Sequence, residues 1–159
     1  MADATTKVLV GGSVAYITNG TSMASLAFGG ATIANALVGT GNLSSYPRCD
    51  MVLSGVSTSN TTSSTSVNLF IYRRDLNVGG GANNDDAAPA TSNSNKFVGM
   101  FTRPTSASSS NFVMTAIDIP LPGGNTDCEF WLQNGFGTSM ENTGWALTIY
   151  PKADVGATA

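Results

Sequence analysis

The stretch VNLFIYRRDL, Val67 to Leu76, decides the fold class. In an extended segment Val67, Leu69 and Ile71 fall on one face and Phe70 and Tyr72 on the other. Both faces carry large apolar or aromatic groups, which suits a strand covered on both sides. The strand runs into Arg73, Arg74 and Asp75 and then into the turn-prone Asn77-Val78-Gly79-Gly80-Gly81. The pattern predicts a central strand that ends at a charged rim.

Outward from it, the same alternation recurs in short runs. Arg48 to Leu53 sets Cys49, Met51 and Leu53 on one face, and Asp127 to Asn134 sets Cys128, Phe130 and Leu132 against Glu129, Trp131 and Gln133. Trp145 to Tyr150 sets Trp145, Leu147 and Ile149 together, with Pro151 expected to end the strand. Lys7 to Val10, Ser13 to Thr18, Ser22 to Phe28, Lys96 to Phe101 and Phe112 to Ile119 complete the set. Asn19-Gly20 reads as a turn. Between the runs lie hydroxyl-rich connectors at 57–66 and 105–110, a stretch at 29–46 with at most one helical turn, and a polar excursion at 77–95 longer than ordinary connections. About eight or nine strands without alternating helices or a fixed repeat predict an all-β, single-domain β-sandwich. The long crossings favour a jelly-roll or Greek-key path, with an up-and-down barrel as the alternative. The expected organisation is an N-terminal arm at 1–12, a sandwich domain at 13–151 and a short polar tail at 152–159.

The 159 residues fit one domain with its own core. Charged residues make up 11% of the chain, against about 25% in ordinary domains, so hydroxyls and amides must solubilise the surface. Such a weakly repelling surface suits a protein packed against copies of itself or a larger assembly. The net charge of −3 and the scattered basic residues give no footprint for nucleic acid. No run approaches the ~20 apolar residues of a membrane span. The N-terminus lacks the basic start of a signal peptide, so folding in a cytoplasm is expected.

The chain contains no histidine, which removes the commonest general base and the usual nucleophile triads. Cys49 and Cys128 have no metal-ligand spacing; they are read as two buried thiols or as one disulfide between strands. Asp118, Asp127 and Glu129 lie near enough in sequence to supply the two carboxylates of a glycosidase, and solvated or ion-paired carboxylates are the preferred reading. Asn83-Asn84-Asp85-Asp86 lacks the alternating ligands of an EF-hand loop, and Gly79-Gly80-Gly81 lacks the lysine of a phosphate loop. Arg73-Arg74-Asp75 is either a strand end paired internally or a subunit contact. Tyr72 and Trp131, opposite the core sets, either stack on a sugar or fill a core or interface.

The runs from Leu69 to Pro104 and from Phe112 to Lys152, with their Ser/Thr/Asn/Gly-rich tips and terminal LTIYPK strand, resemble small virion structural proteins of tailed bacteriophages. These are the decoration or cement proteins that stud the outside of a capsid, and the likeness covers most of residues 48–152. The resemblance implies a non-enzymatic β fold with no cofactor, catalytic residue or metal. It implies a homotrimer bound to the major capsid protein of the same particle, on the virion surface, with no nucleic-acid or membrane partner. It carries over no residue by position. The contact candidates, Lys7, Val8, Leu9, Val10, Arg73, Arg74 and Asp75, come from the arm and the charged strand end. The rival expectation is a carbohydrate-binding or host-attachment module using Trp131 or Tyr72, and a small hydrolase is a third.

Overall fold

Alternating apolar residues pair the strands into two antiparallel sheets whose inner faces meet. The computed structural model describes residues 7–18, 20, 23, 28–29, 46–56, 68–76, 96–103, 112–122, 127–136, 139–140 and 144–155. Among these, the strands are β1 (Lys7–Val10), β2 (Val14–Ile17), β3 (Phe28–Gly29), β4 (Arg48–Val56), β5 (Asn68–Leu76), β6 (Phe97–Thr102), β7 (Phe112–Pro120), β8 (Asp127–Asn134) and β9 (Ala146–Val155). Val67, most of the expected 22–28 strand, the expected helical turn and the connectors at 57–66, 77–95 and 105–110 lie outside the described residues.

The first sheet runs β1-β9-β4-β7, with β2 also paired to β9; the second runs β3-β8-β5-β6. The antiparallel pairs β2/β9, β3/β8, β4/β7 and β5/β6 are therefore one long folded ribbon rolled into two layers. That is a jelly roll with one extra strand, β1, at its start. The organising stretch is central in the second sheet, between β8 and β6.

The core is the sum of the two inner faces. Cys49, Met51, Leu53, Met114, Ala116, Ile119, Leu147 and Ile149 from the first sheet meet Leu69, Ile71, Phe101, Cys128, Phe130 and Leu132 from the second. Each large side chain so buried contributes about 1.5–3 kcal/mol. Two cross-sheet contacts close the sides. On one side Gly99 of β6 lies so near Ile119 of β7 that a Cβ would stand 2.3 Å from the isoleucine Cδ1. On the other, the backbone N–H of Phe130 donates to the Tyr16 hydroxyl at 3.1 Å, and the two rings meet edge to face.

Two expectations are corrected at the ends of the chain. β9 does not stop at Pro151 but runs on to Val155, so 152–155 belong to the sheet and not to a tail. The missing proline N–H is harmless because that side of β9 faces the step from β1 to β2, where the Pro151 carbonyl accepts the Gly11 N–H at 2.8 Å. Likewise Lys7–Val10 is not a separate arm: it pairs with Val155–Lys152 of the same domain.

Candidate functional site

At one end of the first sheet, β4 begins at Arg48, opposite Lys152. Ala153, Asp154 and Val155 pair with β1 beyond that point, so β1 and the end of β9 form a two-stranded ribbon past the sandwich core. Successive strand residues point to opposite faces. Val8, Leu9 and Val10 are nonetheless 52%, 50% and 56% exposed, so β1 presents open apolar side chains on both faces of the ribbon. Val8 and Val10 share their face with their register partners Asp154 and Lys152.

Across that same outer face runs a network of charge. The Lys152 Nζ lies 2.9 Å from Asp50 Oδ1 and 3.0 Å from Asp118 Oδ1, while Arg48 reaches Asp118 at 3.3 Å and also pairs with Asp154. A bulge assembles it. Cys49 faces Ile119 and Met51 faces Ala116, leaving Ile117 and Asp118 together opposite Asp50. Asp118 takes the left-handed conformation, with φ at 55°, and its N–H donates to Asp50 Oδ1 at 3.0 Å. Hydrogen bonding from Lys152 holds the Asp118 carboxyl below its ordinary range, and the bonds to Asp50 and Asp118 raise the Lys152 ammonium. Ile117, pushed outward by the bulge, is 70% exposed. The strip therefore reads apolar at Val8 and Val10, charged through the middle and apolar again at Ile117.

The charged end of β5 is bound into its own domain. The Arg73 guanidinium lies 2.7 Å from the Asp75 carboxylate and donates to the Pro120 carbonyl at 3.0 Å. Arg74 pairs at 3.0 Å with Glu129, its register partner. Arg73, Arg74 and Asp75 thus carry the internal pairing of a strand end. Glu129 also accepts the Trp131 indole N–H at 2.7 Å.

Asp118 and Glu129 do not converge. Asp118 lies on the outer face of the first sheet and Glu129 on that of the second, so they cannot flank one bond. Asn83 to Asp86 and Gly79 to Gly81 lie outside the described residues. Tyr72 and Trp131 are register partners on the outer face of the second sheet. Tyr72 is buried, its hydroxyl donating to Gln133 Oε1 at 2.9 Å, while Phe97 packs edge to face against both Phe70 and Tyr72 and stays 42% exposed. Among the described residues no group of three or more acidic, cysteine or histidine side chains could hold a metal, and no helix is long and apolar enough to cross a membrane.

The sequence reading missed the network because its members come from three strands and meet only through register. Arg48 and Asp50, and Lys152 and Asp154, each sit two apart, the strand signal for a shared face. No protein family, curated protein or solved structure matches this chain.

Proposed function

We propose that this protein is a virion structural protein that decorates the outside of a phage capsid and binds its major capsid protein, as its resemblance to cement proteins implies. The observation that carries the proposal is the open ribbon of Val8, Leu9 and Val10 beside the Arg48–Lys152 network. An isolated two-stranded ribbon is marginal in water, and an apolar patch rimmed by charge has the anatomy of a protein contact. The jelly roll is shared with viral capsid domains and supports the reading by analogy of fold. A cement protein stabilises its shell by mass action, and many copies multiply a modest contact. A homotrimer would bring three such ribbons to one symmetry axis.

The test is binding to purified capsids by a Val8→Glu, Val10→Glu double variant. Each exposed substitution of this kind usually changes stability by about 0.5 kcal/mol or less, so the domain should stay folded while capsid occupancy falls. Undiminished occupancy would refute the proposal. The carbohydrate-binding alternative draws support from Trp131 and exposed Phe97, which flank Tyr72 on one face, although Tyr72 is too shielded to stack on a sugar. Glycan binding lost on Trp131→Ala or Phe97→Ala, with capsid occupancy unchanged, would favour that reading instead.

A further inference from the structure

The two cysteines belong to opposite sheets, both point into the core, and both are reduced and buried. Two cross-sheet anchors fix how the layers align around them. On the β2 side, Tyr16 sits between Val14 and Ile17, whose partners on β9 are Ile149 and Leu147, and its hydroxyl holds the Phe130 N–H. Phe130 therefore lies across from the Thr148–Leu147 level of β9. Two residues along, Cys128 comes near the Ile149–Tyr150 level, next to Pro151, the register partner of Cys49. On the β7 side, Arg73, the register partner of Phe130, reaches the carbonyl of Pro120, and Pro120 pairs with Arg48, the neighbour of Cys49. Both anchors bring Cys49 and Cys128 to the same end of the sandwich, on the inner faces of opposite sheets. The thiols also sense one another: burial first, and then Cys128, push the Cys49 thiol up to about 12.

We propose that Cys49 and Cys128 are a latent disulfide pair that joins the two sheets when the chain folds in the presence of a disulfide oxidant. With oxidised glutathione, one cysteine thiolate attacks the glutathione disulfide and releases one reduced glutathione. The second thiolate then displaces the other glutathione, forming the protein S–S bond. Two protein thiols are oxidised, one glutathione disulfide is reduced, and the two protons pass to the departing thiolates. The cross-link joins strands far apart in the chain, so it restricts the unfolded state strongly. Closure belongs to folding, because thiols shut in an apolar core are poor nucleophiles. The same oxidant should leave the folded, reduced protein unchanged. The proposal is independent of the capsid reading.

The experiment refolds denatured, reduced protein with oxidised glutathione or with dithiothreitol, then denatures and alkylates each product with iodoacetamide before mass spectrometry. The oxidant-refolded monomer should take up no alkyl group, yield a linked Cys49–Cys128 peptide and melt at a higher temperature than the dithiothreitol product. Adding dithiothreitol to it should abolish the difference. Two alkylated thiols, glutathione adducts on either cysteine, only intermolecular links, or a linked monomer that melts lower would overturn the proposal. Comparing two redox states of the same chain keeps the test valid even if Cys49→Ser or Cys128→Ser fails to fold.

Discussion

Arg73 of β5 donates to the carbonyl oxygen of Pro120 in β7, 3.0 Å away, while its guanidinium pairs with Asp75. One side chain thus ties the ends of two sheets and neutralises a carboxylate on the inner side of its own strand. Arg73→Met should leave Asp75 part-buried without its partner and cost about 1–3 kcal/mol. Urea unfolding checks this: a smaller loss in the Arg73→Met, Asp75→Asn double variant than in Arg73→Met would show that the stranded carboxylate is the cause. Charge reversal at Arg73 would therefore perturb the fold before it reported on any partner.

Tyr16 closes the other side. Its hydroxyl accepts the Phe130 N–H in a part-buried bond. Tyr16→Phe keeps the ring and its edge contact with Phe130 but orphans that N–H, so a loss of about 1–3 kcal/mol is expected. A midpoint unchanged in chemical denaturation would mean that Phe130 finds another acceptor.

The outer network sets a pH dependence whose sign follows from its shifts. Asp118 titrates below the ordinary 3.8 because Lys152 hydrogen-bonds its carboxylate. Its contribution is complete above 3.8 and is lost as the pH falls through the lower, folded value. Lys152 titrates above the ordinary 10.5, first through its bond to Asp50 and then through that to Asp118, so its contribution is complete below 10.5 and is lost as the pH rises through the folded value. Asp118→Asn should flatten the acid limb of a thermal-midpoint profile and Lys152→Met the alkaline limb. Both effects should be small and shrink in high salt, because Asp118 is exposed and Lys152 is only partly covered.

The fold was legible because its strands are buried on at least one face. Leu69 and Ile71 in β5 and Phe130 and Leu132 in β8 are placed by period-two alternation, and such strands can make only a sheet with cover. The long crossings indicated a rolled path. The end of β9 misled because Pro151 is an ordinary stop signal, and only its place opposite the β1–β2 step makes it compatible with a strand. The candidate site was legible at Val8 to Val10, where apolar residues stood at a chain end. It was not legible at Asp118: a bulge is a property of two strands together, and neither sequence alone shows the extra residue.

Gly20 illustrates the same gap between local and tertiary causes, and it supports a sharp prediction. Asn19-Gly20 reads as a turn, yet the glycine lies against the face of the buried Trp145, where a Cβ would come within 2.0 Å of the indole. Its N–H donates to the Trp145 carbonyl at 2.8 Å and its carbonyl accepts the Gly144 N–H at 2.7 Å, so the backbone cannot back away without breaking both bonds. The indole is rigid and fully enclosed, unlike the end of a flexible chain. Gly20→Ala should therefore cost at least about 1–3 kcal/mol, the usual range for overpacking, and alter the tryptophan emission of the folded protein. A smaller aromatic ring makes room, so Trp145→Phe should lose stability by itself through the space it leaves, while the added cost of Gly20→Ala is reduced in its presence. Equal costs of Gly20→Ala in the two backgrounds, measured by chemical denaturation in a double-mutant cycle, would show that the strain lies in the backbone and not in the ring.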